Sequence, residues 1–109
     1  MLKIGVIGAG HLGKIHMRLL KEIPQAELVG FYDSNIEYGR AYSLESGIPF
    51  IESYDELIEL SDAIDIVTPT VAHFECASKA LRASRHVFIE KPITHTVNEG
   101  KKLVSLVTE

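Results

Sequence analysis

Apolar residues fall in short unbroken runs along the chain, and segments with helical spacing separate these runs. Unbroken apolar runs bounded by turn residues predict buried strands. Four such runs predict strands at residues 2–7, 27–32, 63–68 and 86–89. A fifth run, made of Ile48, Phe50 and Ile51 beside Pro49, predicts the weakest strand because proline cannot donate to a sheet.

The segments between these runs carry helix signals. Apolar residues at three- and four-residue steps predict an amphipathic helix over residues 11–22, before Pro24. They are Leu12, Ile15, Leu19 and Ile23. Capping boxes predict three further helix starts, at Ser34 with Glu37, Ser53 with Glu56, and Thr96 with Glu99. The first of these helices should end near Gly47, and Thr70 should cap a helix over residues 71–82. The last helix should turn Leu103, Leu106 and Val107 toward the core.

The alternation of strands and helices predicts the fold class. Continuous apolar strands indicate a parallel sheet that helices cover on both faces. Right-handed crossovers then give a doubly wound α/β sheet of the Rossmann type. No repeat, low-complexity tract or flexible linker interrupts the sequence, so residues 1–109 are predicted to form one domain.

Composition narrows the class of protein. The chain has 109 residues, of which 46% are hydrophobic and 24% charged, which suits one folded domain. The net charge is −4 and no basic cluster exists, which argues against nucleic acid or an anionic membrane as a partner. No apolar stretch is long enough to span a membrane, and no secretory signal is recognisable.

The cysteine and histidine content adds two expectations. The single cysteine, Cys76, cannot form an internal disulfide, which predicts a reducing, cytoplasmic location, and its apolar neighbours predict a core position. The five histidines have no metal-ligand spacing with it or with carboxylates, so no metal site is predicted. His16, on the first helix, is expected to have a packing or supporting role.

The turn between the first strand and the first helix carries the clearest chemical signal. Its sequence, Gly8-Ala9-Gly10-His11-Leu12-Gly13, matches the G-x-G-x-x-G pattern of dinucleotide-binding turns. Gly8 suits the tight turn, Gly10 lets a pyrophosphate approach the backbone, and Gly13 lets the helix pack closely on the strand. A purely structural turn is the alternative, and the strand–turn–helix context favours a dinucleotide site.

Asp33 ends the second predicted strand, about 20 residues after the last glycine of that turn. A carboxylate there accepts hydrogen bonds from a ribose and repels a 2′-phosphate. Ser34 follows it, and no cation occurs before Arg40, which predicts NAD as cofactor rather than NADP. The alternative is that Asp33 is only an acid placed at a helix start.

A second polar group follows the later strands. Thr68-Pro69-Thr70 and His73 follow one strand, and Glu90-Lys91 follows the next. Ligands bind beyond the carboxyl ends of parallel strands, so these residues and the glycine turn should share one edge of the sheet. Lys91 would there be placed to hydrogen-bond a substrate hydroxyl and assist proton transfer. An exposed Lys–Glu pair without a chemical role is the alternative.

These segments resemble the amino-terminal half of a known family over essentially the whole chain. The runs GVIGAGHLGKIH, TPTVAH and above all HVFIEKPIT are similar to the glucose–fructose oxidoreductase / inositol dehydrogenase (Gfo/Idh/MocA) family. The resemblance implies an NAD(P)-dependent oxidoreductase that moves a hydride between the nicotinamide and a hydroxyl of a sugar, cyclitol or nucleotide sugar. Members such as the UDP-N-acetylglucosamine 3-dehydrogenases look most similar.

The resemblance also implies roles for individual residues. Gly8, Gly10, His11 and Leu12 would line the pyrophosphate, with Ala9 and Gly13 in the same turn, and Asp33 with Ser34 would meet the adenosine ribose. Thr68, Pro69, Thr70 and His73 would border the cofactor, Glu90 and Lys91 would meet the nicotinamide ribose, and Lys91 would be the catalytic residue.

Members of this family carry a carboxyl-terminal substrate domain through which they commonly associate. We therefore expect residues 1–109 to be the NAD-binding half of a homo-oligomeric enzyme, ending before the last strand of its sheet and inactive alone. A stand-alone NAD-binding regulatory or redox-sensing module is the alternative. A substrate-facing Lys91 favours the enzyme, because a sensor has no need of one.

Overall fold

Four of the predicted apolar runs pair as a parallel sheet in the computed structural model, which describes residues 1–90 and 97–108. The strands are β1 (Leu2–Ile7), β2 (Ala26–Tyr32), β3 (Ala63–Ile66) and β4 (His86–Ile89), in the spatial order β2-β1-β3-β4. The chain moves outward from β1 to β2 and then returns to the other side of β1. The carboxyl ends of β1 and β3 therefore form the crevice in which such sheets bind ligands.

Helices cover both faces of this sheet. They are α1 (His11–Leu20), α2 (Ile36–Ser46), α3 (Tyr54–Leu60), α4 (His73–Arg82), preceded by a 3₁₀ turn (Thr70–Ala72), and α5 (Val97–Thr108). Val6 packs with Met17 of α1 on one face, whereas the next residue, Ile7, packs with Leu57 of α3 on the other. The doubly wound α/β prediction is thus confirmed. No helix in the described part of the chain is long and apolar enough to cross a membrane.

The segment predicted as the weakest strand makes only one bridge to the sheet. Phe50 pairs with Phe31 of β2, through hydrogen bonds from Phe31 N–H to the Pro49 carbonyl and from Ile51 N–H to the Phe31 carbonyl. Pro49 has no N–H to extend this ladder. The short strand predicted here is therefore only a single bridge, and the described sheet has four strands.

Helix α1 buries a different face from the predicted one. Leu12, Leu19 and Ile23 remain 43–54% exposed, whereas Gly13 and Met17 are buried. A Cβ at Gly13 would collide with the carbonyl oxygen of Gly8, so the close approach at Gly13 sets the rotation of the helix. Met17, one turn later, then points into the core.

The helix ends test the predicted caps. Ser53 accepts a hydrogen bond from the Glu56 N–H at 3.4 Å, as predicted, and Gly47 ends α2 with φ of +76°. Helix α2, however, begins one residue later than expected, because Asn35 rather than Ser34 accepts from the Tyr38 N–H at 3.1 Å.

One other terminal prediction fails, one holds in part and one lies outside the described residues. Thr70 makes no side-chain cap, since Pro69 precedes a 3₁₀ turn there and α4 begins only at His73. Leu103 is buried and Leu106 packs against the same core, as predicted, whereas Val107 is 65% exposed. The proposed cap at Thr96 lies outside the described residues.

Candidate cofactor-binding site

A cavity of about 900 Å³ opens beyond the carboxyl ends of β1 and β3, beside the glycine turn. Its volume lies within the range typical of cofactor pockets. Eight of the predicted site residues line it, and they come from the glycine turn, the end of β2 and the segment after β3. They are Gly8, Gly10, His11, Leu12, Asp33, Ser34, Thr68 and Pro69.

The three glycines of the turn have three different surroundings. Gly8 has φ of +105°, and a Cβ there would lie 2.6 Å from the Val67 carbonyl oxygen. Gly13 packs against Gly8 so closely that even a methyl group would collide. A Cβ at Gly10, in contrast, would meet nothing within 4 Å. The protein itself therefore does not require a glycine at position 10, and the space above it is open to a ligand.

Two side chains brace the turn from outside. Asp33 accepts hydrogen bonds from the Ala9 N–H and the Asn35 N–H, both at 2.9 Å, through its two carboxylate oxygens. The Tyr38 hydroxyl donates to the Ala9 carbonyl at 2.6 Å. Both backbone polar groups of Ala9 are thus bonded, and the carboxylate of Asp33 is held at the rim of the cavity.

The first turn of α1 suits an anion. Gly10 occupies the N-cap position and supplies no side-chain acceptor, and the first turn contains no acidic residue. The N–H groups and the positive end of the helix dipole are therefore not compensated by a side chain of α1. Together with the open space at Gly10, this arrangement fits a pyrophosphate.

Several lining residues were not predicted from the sequence. They also line the cavity, and they are Tyr32 of β2, Tyr54 of α3, and Glu75, Cys76 and Lys79 of α4. The Tyr54 hydroxyl donates to the Cys76 carbonyl at 2.7 Å, and burial raises the pKa of this hydroxyl. The ammonium of Lys79 pairs with Asp55 at 2.8 Å.

Cys76 has a mixed position. Burial raises the pKa of its thiol, which is partly buried and packs against the apolar core, as its neighbours in sequence predict. It also contributes to the cavity wall, a position that could not be predicted from its neighbours in sequence.

Other predicted site residues lie behind the cavity surface. His73 is 1% exposed, and its Nε2 lies 2.9 Å from the Thr68 carbonyl oxygen, so it supports the segment after β3. Ala9 and Gly13 are buried members of the glycine turn that do not line the cavity. Thr70 lies in the 3₁₀ turn before α4 and does not line the cavity either. Their roles as cofactor ligands stay predictions.

Glu90 lies on the α1 side of the sheet and not in this cavity. Its carboxylate Oε1 is 2.8 Å from Nε2 of His16, whose Nδ1 is 2.7 Å from Oδ2 of Asp65. His16, expected to pack or support, thus links two carboxylates. Lys91 lies outside the described residues, so its predicted catalytic role stays a prediction. Within residues 1–90 and 97–108, no group of three or more His, Cys, Asp or Glu is arranged to hold a metal ion.

The sheet order, the glycine turn and the cavity at the switch point define a dinucleotide-binding Rossmann domain. Comparison with known protein families identifies which family of Rossmann domains the chain belongs to. Residues 2–109 match the Gfo/Idh/MocA family model described as "Oxidoreductase family, NAD-binding Rossmann fold". The chain belongs to this family, and the resemblance noted in its sequence is confirmed.

Individual relatives are dehydrogenases. The UDP-N-acetylglucosamine 3-dehydrogenase of Acidithiobacillus ferrooxidans is 38% identical over 108 residues, which are 99% of this chain and 34% of that protein. A solved structure of that enzyme superposes with a TM-score of 0.91 at 36% identity, covering 98% of this chain and 35% of the other. The glucose-6-phosphate 3-dehydrogenase of Bacillus subtilis is 38% identical over 100 residues, 92% of this chain and 29% of that protein.

A third relative was solved with ligands. A dehydrogenase of Bordetella pertussis in complex with NADH and UDP-GlcNAcA has a TM-score of 0.88 at 28% identity, covering 98% of this chain and 33% of the other. This chain therefore spans about a third of the length of the relatives it matches.

Proposed function

We propose that this chain is the cofactor-binding part of an NAD-dependent dehydrogenase that acts on a hydroxyl group of a sugar or nucleotide sugar. The observation that carries the proposal is the open space at Gly10 beside the uncompensated amino terminus of α1, where a pyrophosphate fits. The names of the relatives support the sugar-like substrate class, because a UDP-N-acetylglucosamine 3-dehydrogenase and a glucose-6-phosphate 3-dehydrogenase are among them.

The charges around the end of β2 support NAD over NADP. The Asp33 carboxylate is fixed at the cavity rim, where a 2′-phosphate would meet its negative charge. Arg40, the first cation after it in sequence, is paired with Glu52. Lys79, a cation of the cavity wall, is paired with Asp55. Each of these cations thus already faces a carboxylate, and neither is paired with Asp33.

Titration with NADH and NADPH tests this proposal. The unmodified chain should bind NADH more tightly than NADPH. The double variant Asp33→Ser, Ser34→Arg should weaken or reverse the preference, because it removes the repelling carboxylate and adds a cation for the 2′-phosphate. Asp33→Ser alone should weaken both cofactors, since Asp33 also holds the Ala9 and Asn35 amides.

Glu59→Arg on the exposed side of α3 is the matched control, because it changes the net charge by the same amount away from the cavity. It should leave the ratio of the two affinities unchanged. Tighter binding of NADPH by the unmodified chain would contradict the choice of cofactor. Absence of binding to both nucleotides would overturn the function itself.

The remaining parts of the proposal concern the whole protein. We propose that Lys91 takes part in proton transfer and that a further domain supplies the substrate contacts and the association between subunits. The greater length of the relatives supports a further domain. A cytoplasmic location is proposed from the cysteine content alone.

A further inference from the structure

Three side chains from separate parts of the chain meet on the α1 side of the sheet. His16 comes from α1, Asp65 from β3, and Glu90 from the residue directly after β4. One ring nitrogen of His16 lies 2.7 Å from the Asp65 carboxylate, and the other lies 2.8 Å from the Glu90 carboxylate. We refer to these three residues as the His16 bridge. The contact with Asp65 is a hydrogen bond, and the contact with Glu90 is at the distance of an ion pair.

The two carboxylates of the bridge differ in exposure. The side chain of Asp65 is 10% exposed and that of Glu90 39% exposed. Burial raises the pKa of Asp65, and the hydrogen bond from His16 opposes that rise. Burying a carboxylate is unfavourable unless it is paired, so Asp65 and His16 form the fixed part of the bridge. Glu90 is the part that reaches the edge of the sheet.

The bridge limits how the imidazole ring of His16 can turn. Its Nδ1 is hydrogen-bonded to Asp65, and its Nε2 faces the Glu90 carboxylate at 2.8 Å. A rotation of the ring would break the hydrogen bond to Asp65 and move Nε2 away from Glu90.

The strand order places Glu90 relative to the cofactor. Asp33 follows β2 and the glycine turn follows β1, so an adenosine ribose at Asp33 and a pyrophosphate at the turn run along the sheet edge from β2 toward β1. The next strands in that direction are β3 and then β4, each about 5 Å further. The nicotinamide half therefore extends toward the end of β4, where Glu90 begins the segment that continues into Lys91.

We propose that His16 and Asp65 are positioning residues that hold the Glu90 carboxylate, and with it the end of β4, for the nicotinamide ribose. This inference rests on the proposed function. It predicts that the bridge affects the nicotinamide half of the cofactor and not the adenosine half. A bridge that only ties α1 to the sheet would affect both halves alike.

Two nucleotides separate these cases. NADH contains both riboses, whereas ADP contains the adenosine and two phosphates but lacks the second ribose. We expect His16→Leu to weaken NADH binding about tenfold, the loss that corresponds to one charge-assisted hydrogen bond, and to leave ADP binding unchanged. His16→Gln is the second variant if His16→Leu does not fold. Its amide can reach one carboxylate but cannot bridge two, so the same selective loss is expected.

Coupling to Glu90 and a matched control complete the experiment. In a Glu90→Ala background, His16→Leu should cause no further loss of NADH affinity, because the group that it positions is gone. His86→Leu, at the exposed start of β4, is the control and should alter neither affinity. Equal losses for NADH and ADP, or no loss for either, would overturn the positioning role. If the unmodified chain binds neither nucleotide, the proposed function fails and this inference fails with it.

Discussion

Gly10 and Gly13 lie in one turn, and each lacks a side chain for a different reason. A Cβ at Gly10 would enter open space, whereas a Cβ at Gly13 would collide with the Gly8 carbonyl. The first position is thus open for a ligand and the second is closed by the fold. Substitution separates the two requirements.

We expect Gly10→Val to abolish NADH binding while lowering the free energy of unfolding by no more than about 1 kcal/mol, the range for replacing a favourable N-cap residue. Its backbone, with φ of −71° and ψ of −166°, is one that valine adopts readily. Gly13→Ala should instead destabilise the fold by about 1–3 kcal/mol, as overpacking does. Urea unfolding and NADH titration of both variants measure this. Retained NADH affinity in folded Gly10→Val would show that the pyrophosphate lies elsewhere.

Asp65 gives a prediction about pH. Burial raises its pKa above the ordinary value of 3.8 in the folded state, so the folded protein holds this proton more tightly than the unfolded chain does. The associated stability is present below pH 3.8 and is lost as the pH rises through the raised pKa. Asp65→Asn removes this titration. The stability of Asp65→Asn relative to the unmodified chain should therefore increase from acid to neutral pH.

Urea unfolding of both proteins at a series of pH values checks this expectation. A stability difference that is constant with pH, or that decreases toward neutral pH, would contradict it. Asp62→Asn is a suitable control, because Asp62 is exposed and accepts from the Lys3 N–H without contacting the His16 bridge.

At the scale of single elements, the N-cap of helix α2 depends on one residue, Asn35, and not on its neighbour Ser34. Asn35 accepts from the Tyr38 N–H, whereas Ser34 lies one residue before the cap and lines the cavity. We expect Asn35→Ala to lower the free energy of unfolding by about 1 kcal/mol. Ser34→Ala should change it by less than about 0.5 kcal/mol. Urea unfolding without nucleotide measures both effects. A larger loss of stability in Ser34→Ala than in Asn35→Ala would contradict the assignment of Asn35 as the N-cap of α2.

The sequence predicted the elements better than their rotation and ends. The type and place of β1, β2 and β4 follow from unbroken apolar runs. The prediction that β4 is buried is wrong, because His86 and Phe88 are exposed. The buried face of α1 does not follow from its apolar residues, since the contact of Gly13 with Gly8 sets the rotation. The cap at Asn35 depends on where Asp33 fixes the Asn35 amide, a geometry that residue spacing does not contain.

At the scale of the whole molecule, the glycine turn and Asp33 could be predicted because each is defined by its neighbours along the chain. Tyr54 and Lys79 could not, since they reach the cavity only when α3 and α4 pack on the same sheet face. The His16 bridge joins residues from three elements, and no spacing in the sequence indicates that they meet.

The proposed role of Lys91 is tested in the complete protein. We expect Lys91→Ala to reduce turnover by about 10²–10⁴, the range for a lost acid–base contributor, with a much smaller change in NAD affinity. Steady-state rates with UDP-N-acetylglucosamine and with glucose 6-phosphate, alongside NAD titration, measure both quantities. Lys101→Ala on the exposed side of α5 is the control. Near-normal turnover in Lys91→Ala would assign proton transfer to another group.

The two hydrogen bonds that Asp33 accepts from the Ala9 and Asn35 amides constrain how cofactor preference can evolve. A lineage that loses this carboxylate first passes through an intermediate in which the Ala9 and Asn35 amides have lost their acceptor. We expect that intermediate to bind both nucleotides weakly. A lineage that first acquires an arginine at position 34 keeps both hydrogen bonds of Asp33. When it later loses the Asp33 carboxylate, the arginine is already present to bind a 2′-phosphate. The two routes reach the same pair of residues, and only the second avoids an intermediate that lacks both the carboxylate and the arginine.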